Sequence, residues 1–309
     1  DDSFEVVLKE HKEENIRWRV LRARARAANI PVFDDEDGLT LGMGCNSTTW
    51  SLKQLPERID AEDYQRIPAC YITGTNGKTT TARLLSLIAR SAGFVDGLTS
   101  SDGIMVEGAW VTRGDWTGTG AARKILRHPR VDFAVLETAR GGLMRRGLVI
   151  DEVEAALITN ISDDHLGHWG LNTLEEMAVA KLTVALGVRA DGVLVLNADC
   201  PVLSSVAPDW CAEHTPDVEI HWFGRDKHDR QLTVWVEDGV IYHCDAGAIC
   251  AVEDVPITLK GLAVHNTSNA LAAVSLAAAM GVEKSAIVEG LQRMSPSREC
   301  SNGRANWYH

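Results

Sequence analysis

One stretch constrains this chain more than any other: TGTNGKTTTARLL, from Thr73 to Leu85. It lies between a short apolar run, ACYI at 69–72, and a helical pattern running from Thr79 to Ala92 that Gly93 ends. A strand, a glycine loop and Gly77-Lys78-Thr79 entering a helix is the arrangement in which main-chain N–H groups and the helix dipole cradle phosphates. The lysine then bridges terminal phosphates and the threonine hydroxyl ligates magnesium. The spacing departs from the common G-x-x-x-x-G-K pattern, which needs a glycine where Ile72 stands; the first glycine is Gly74. A plain turn with a surface lysine is the competing reading. Agreement at several positions together disfavours it.

The surrounding pattern fits such a loop. VDFAVLE (131–137), AALIT (155–159) and GVLVL (192–196) are compact apolar runs of the buried parallel-strand kind, and a helix is expected over 174–186 between the last two. This alternation predicts an α/β fold with a mostly parallel sheet flanked by helices and ligands at the carboxyl ends of the strands. QLTVWVEDGVIYHC (231–244) reads as a hairpin turning at Asp238-Gly239. Two further helices are expected over 266–280 and 283–294. Towards the amino terminus, residues 1–30 read as a charged helix with Ile16, Val20, Ala23 and Ala27 on one face, NIPVF as a short strand, and 42–69 as an irregular connector. The division expected is an α/β region with connector over 1–68, a nucleotide-binding domain over 69–297, and the start of another unit over 298–309.

Charge narrows the partners. Thirty-one lysines and arginines against 43 acids give −12, which argues against a nucleic-acid or anionic-membrane surface, so an anion must be held by a local site. Seven scattered cysteines, with no C-x-x-C pair, suit reduced thiols and a cytoplasmic protein.

Other polar residues fall where the sheet should end. Glu137 closes its strand and is placed to reach a magnesium ion directly or through water. Arg140, beside Gly141 and Gly142, suits a carboxylate or phosphate, although a structural ion pair would look the same. NISDDHLGHWG (160–170) gathers Asp163, Asp164, His165 and His168 in one loop, where a carboxylate and an imidazole suit a second divalent ion. TSSDGI and TRGDWTGTG (112–120), with Ser101, Asp102 and Thr117, are candidate linings for an acceptor site.

In this order TGTNGKTT, a strand-end glutamate, DDHL and Lys181 resemble the Mur ligase superfamily, and SSDGI (100–104) and ETARGG (137–142) are similar to its cyanophycin-synthetase-like branch. HNTSNALAAVSLA (265–277) resembles the family's adenine-side helix, with Asn266 at the base-contacting position. The resemblance spans roughly 69–294. It implies a P-loop NTPase-like central domain that binds ATP and magnesium through Gly74, Thr75, Asn76, Gly77, Lys78, Thr79 and Thr80. It implies transfer of the γ-phosphoryl group to a substrate carboxylate, followed by attack of an amine to give an amide. Carried over by position, Lys78 neutralises the β- and γ-phosphates, Thr79 holds one magnesium, Glu137 and His165 serve a second, and Lys181 matches a lysine carbamylated in many members. Arg304, in NGRANW (302–307), takes the place of a nucleotide-contacting arginine where the family's central domain hands over to a carboxy-terminal one. The sequence given does not continue into that domain, so the expectations are that it is a fragment of a longer protein or that a partner supplies the domain, with a homo-oligomer as a further possibility. Gly167 stands where many members have an acid. The partners implied are an amino-acid or peptide substrate with a free carboxylate, and an amine. An ATP-binding regulatory protein without ligation, or a P-loop kinase, are the rival readings.

Overall fold

The computed structural model describes residues 16–163, 167, 170–226 and 228–295. Its centre is an eleven-stranded sheet. In chain order the strands are β4 (Ala69–Thr73), β5 (Asp96–Ser100), β6 (Gly103–Val106), β7 (Ala109–Arg113), β8 (Phe133–Glu137), β9 (Val153–Ile158), β10 (Val188–Asn197), β11 (Glu219–Gly224), β12 (Val234–Glu237), β13 (Val240–His243) and β14 (Gly247–Ala251). Across the sheet they run β14-β13-β12-β11-β10-β9-β4-β8-β5-β6-β7. The stretch from β12 to β5 is parallel, and antiparallel strands extend both edges.

The central strand β4 is buried at all five positions, and its alternation feeds two cores. Tyr71 packs with α3 (Thr119–Leu126), α5 (Leu174–Leu182) and α6 (Pro201–His214) on one face. Cys70 and Ile72 pack with α2 (Lys78–Ser91), α7 (Val264–Ala279) and α8 (Lys284–Arg293) on the other. Burial of each such side chain contributes about 1.5–3 kcal/mol, and because both faces are covered the strands read as near-continuous apolar runs. The short helix α4 (Arg140–Arg146) follows β8 directly. No helix among the described residues is long and apolar enough to cross a membrane.

The hairpin expected at Asp238-Gly239 joins β12 to β13, with φ of 48° and 75° at the two turn residues. Three expectations change. The stretches TSSDGI (99–104) and TRGDWTGTG (112–120) are partly strand, because Gly103–Val106 and Ala109–Arg113 form a second hairpin that lengthens the sheet beyond β5. β6 is only four residues long and β7 has no fully buried position, so neither gave the longer apolar run of a central strand.

At the amino end, the helix over 16–27, α1, packs on a three-stranded antiparallel sheet of β1 (Val32–Asp35), β2 (Gly38–Leu41) and β3 (Thr48–Trp50), the last lying in the segment read as irregular. Its buried stripe is Leu21 and Ala25 with Trp18, whereas Ile16 is 59% and Val20 41% exposed, so the helix is rotated from the face expected. The bulkier residues at i, i+3 and i+7 decide the facing. Arg127 ties this sheet to α3, its guanidinium donating to Asp35 at 2.8 and 2.9 Å and to Thr40 Oγ1 at 2.8 Å.

Candidate functional site

The loop between β4 and α2 lies at the carboxyl edge of the parallel strands. Gly74 has φ of 139° and a Cβ there would stand 1.9 Å from Thr159 Oγ1; Gly77 has φ of 84° and a Cβ would stand 2.2 Å from Asn269 Oδ1. Only glycine allows the chain both this conformation and this closeness. No side chain caps α2, so the first N–H groups of the helix face the loop's concave side.

Neighbouring strand ends lock the loop in place. The Thr75 and Asn76 N–H groups donate to the main-chain and side-chain oxygens of Asn160, at 2.9 and 3.0 Å. Thr159 and Asn160 donate in return to the Asn76 carbonyl, at 2.6 and 3.0 Å. The Ser162 N–H donates to Thr75 Oγ1 at 3.2 Å. Both Thr159 and Asn160 follow β9, the sheet neighbour of β4, so strand pairing fixes the loop's shape.

Two groups stand under the loop. Thr79 Oγ1 donates to Glu137 Oε2 at 2.8 Å, and since its proton is spent there, Ser101 Oγ must donate to Thr79 across 3.0 Å. Glu137 is 2% exposed, and the Ser101 N–H points to the same carboxylate oxygen at 3.4 Å. Opposite, the Lys181 ammonium, 4% exposed, donates to the Gly74 carbonyl at 2.9 Å, while Lys78 donates to the Thr75 carbonyl at 2.8 Å. Burial, and then the charges of Lys78 and Arg140, bring Lys181 down to about 7.

The other residues singled out from sequence lie along the same edge. Arg140 opens α4. Asp102 accepts from Arg83 at 2.9 Å, and Thr117 Oγ1 donates to Asp115 at 2.7 Å while the Thr117 carbonyl accepts from the Ala139 N–H at 3.3 Å. Asn266 lies beside the loop rather than under it. Its amide donates to the Ile257 carbonyl at 2.9 Å and its oxygen accepts from Asn269 at 3.2 Å. His165, Asp164, His168 and Arg304 lie outside the described residues.

A cleft of about 870 Å³ opens between Asn76-Gly77-Thr80 and the start of α7, with Asn197, Asp199, Arg225, His265 and Asn266 among its walls. Asp199 fixes the wall after β10, accepting from His228 at 2.8 Å and from the Arg225 N–H at 2.9 Å. Asp199, Arg225, Asn160 and Asn269 escaped the reading of the sequence. Polar residues directly after the apolar strand runs 155–159 and 192–196 were the signal for Asn160 and Asp199. Nothing local marks Asn269, which meets the loop only through the tertiary fold.

The comparisons agree with this geometry. The profile of the Mur ligase middle domain matches residues 72–277. A cyanophycin synthetase of Crocosphaera subtropica is 39% identical over 256 residues, covering 80% of this chain and 29% of that protein. A UDP-N-acetylmuramoylalanine–D-glutamate ligase of Chlorobium luteolum is 30% identical over 221 residues, 72% of this chain and 44% of its own. Among solved structures, a UDP-N-acetylmuramoyl-L-alanyl-D-glutamate–2,6-diaminopimelate ligase superposes with a TM-score of 0.60 at 21% identity, over 75% of this chain and 47% of that one. A bifunctional folylpolyglutamate/dihydrofolate synthase from Yersinia pestis, complexed with AMPPNP and manganese, gives 0.56 at 22% identity, over 75% and 58%. The chain thus spans under a third of the cyanophycin synthetase and under half of the glutamate ligase. With a matching profile over two thirds of its length, lying on the sheet and loop that form this site, the chain belongs to the Mur ligase family.

Proposed function

We propose that this chain binds ATP and a divalent metal ion, phosphorylates a substrate carboxylate and passes the acyl group to an amine. One observation carries the reading: a single glycine loop is flanked by a buried acid bonded to a loop hydroxyl, Glu137 on Thr79, and by a buried lysine, Lys181 on Gly74. Phosphoryl transfer uses the first, and the second matches the lysine that is carbamylated in many members of the family, which favours the ligase over a kinase.

The residues suit both ligands. Main-chain approach at Gly74 and Gly77 and the uncapped start of α2 suit a triphosphate. The Thr79 hydroxyl and the Glu137 carboxylate are hard oxygen donors of the kind magnesium takes, and the motif resemblance would assign His165 to a metal ion as well. Magnesium bound there would offset the charge of two anions that must meet, the terminal phosphate and the acceptor carboxylate. Lys78 and Arg140 add fixed positive charge on the loop side. A carboxylate oxygen attacks the γ-phosphorus and ADP leaves. The amine then attacks the acyl carbon, phosphate departs with the C–O bonding pair, and the nitrogen loses a proton. Burial and the neighbouring cations lower Lys181 to about 7, which favours the neutral amine, the form that takes up carbon dioxide to become an acidic carbamate.

The names of the relatives favour an amino-acid or peptide acceptor and an amino-acid amine. The test is mass spectrometry and ADP release with ATP, magnesium, an amino-acid pool and short peptides, with Lys78→Ala as control. ADP release that requires both a carboxylate and an amine, with a new amide lost in the variant, supports the reading. Hydrolysis or a stable phosphorylated product without any amide overturns it in favour of a regulatory ATPase or a kinase.

A further inference from the structure

The turn between β13 and β14 gathers donor atoms that the proposed chemistry does not use. His243 pairs with Gly247, so the turn consists of Cys244, Asp245 and Ala246, and Gly247 closes it with φ of 68°. The Cys244 N–H donates to the Thr233 carbonyl at 2.9 Å, and Lys284, at the start of α8, donates to the Ala246 carbonyl at 3.2 Å, so the turn is held from two sides. His243 also faces Val234, the first residue of β12. Since β12 runs parallel to the central strands, the turn lies at their amino ends, across the sheet from the phosphate loop.

One ligand atom from each of His243, Cys244 and Asp245 lies within 4.8 Å of the other two. Cys244 Sγ is 3.9 Å from His243 Nδ1 and 3.3 Å from Asp245 Oδ2. Donors bonded at about 2.0–2.3 Å to one tetrahedral zinc ion stand about 3.3–3.8 Å apart, so small side-chain rotations bring all three to one ion. His243 is buried and turns the Nδ1 lone pair to the turn, where the Asp245 and Ala246 N–H groups donate to it at 3.2 and 3.4 Å. Both bonds are long and share that one lone pair, so a metal there replaces a weak interaction. Cys244 and Asp245 are exposed, which leaves a path from solvent. Burial, and then Asp245, push the Cys244 thiol up, as befits two anion-forming groups brought together without a cation between them.

We infer that His243, Cys244 and Asp245 bind a divalent ion of the zinc type, which ties the β13–β14 turn together at the end of the sheet away from the phosphate loop. An imidazole nitrogen and a thiolate sulfur select such an ion over magnesium, which takes oxygen. On binding, the thiol proton passes to buffer, and Nδ1, Sγ and a carboxylate oxygen donate to the metal, with water in the fourth position.

Cobalt(II), which zinc displaces, is the probe. Untagged protein in excess magnesium would be titrated with cobalt chloride, following thiolate-to-cobalt charge transfer in the near ultraviolet and d–d bands in the visible, and zinc affinity read by competition. Melting curves establish that each variant folds. The expected result is saturation at a single cobalt ion per chain, with the bands lost in Cys244→Ser and kept in Lys78→Ala and in Cys45→Ser, which removes the other exposed thiol among the described residues. Zinc should bind at least about tenfold more weakly to His243→Ala and Asp245→Asn, and should raise the Tm of the wild type but not of Cys244→Ser. Bands that persist in Cys244→Ser or vanish in Cys45→Ser, unchanged zinc affinity in Asp245→Asn, or no saturable band would overturn it. Cobalt bound through Cys244 in a protein that makes no amide keeps this inference and defeats the ligase. Amide formation by a protein without the cobalt band does the reverse.

Discussion

Replacing Gly77 by alanine should damage the loop in two separable ways. The residue has φ of 84°, in the left-handed region, which costs an alanine about 1–2 kcal/mol. The new Cβ would also stand 2.2 Å from Asn269 Oδ1, well inside van der Waals contact, so Asn269 must move and strain its 3.2 Å bond to Asn266. Leaving that buried pair unsatisfied costs about 1–3 kcal/mol more. The total, about 2–5 kcal/mol, should appear as a fall in Tm of several degrees or more, with loss of nucleotide affinity measured by calorimetry. Adding Asn269→Ala removes the collision and leaves the backbone cost, so the double variant should be more stable than the sum of the two single changes implies. A Gly77→Ala protein that melts and binds nucleotide like the wild type, or strict additivity in the cycle, would refute the argument that this glycine exists for close approach.

Two further outcomes follow from the structure. Lys181 is lowered from 10.5 to about 7, so between those values the unfolded chain holds more protons than the folded one and stability should rise with pH across that window. Lys181→Met should flatten the rise in denaturant-derived stability, and an unchanged slope would contradict the assignment. Arg127→Ala removes the bonds to Asp35 and Thr40 that anchor the amino-terminal sheet. Proteolysis should then cut within 28–68 faster than in the wild type while the sheet core stays protected, and equal cleavage rates would show that other contacts suffice.

What could be read from the sequence was local. The runs at 69–72 and 155–159 contain their own burial, and Asp238-Gly239 contains its own turn, so strands and hairpin emerged at nearly the right bounds. Lys78, Thr79 and Glu137 were legible because a glycine loop before a helix and an acid ending a strand each imply an edge, and the fold places both edges together. The β6–β7 hairpin was missed because GIMV is only four residues long and AWVTR mixes polar with apolar residues and buries none of them fully. On α1 the apolar residues outnumber the positions that face inward, so two stripes competed, and only packing against β2 chose Leu21 and Ala25. Asn160, 84 residues from Asn76, acquires its role solely through the pairing of β9 with β4.

The account depends most on the loop from Gly74 to Thr79 gripping a triphosphate above Glu137. Crystals grown with a non-hydrolysable ATP analogue and manganese measure this directly. The phosphates should lie against the main chain of 74–79, with the anomalous manganese signal within bonding distance of Thr79 Oγ1 or reaching Glu137 through water. Phosphates bound elsewhere, or a metal remote from both side chains, would contradict it.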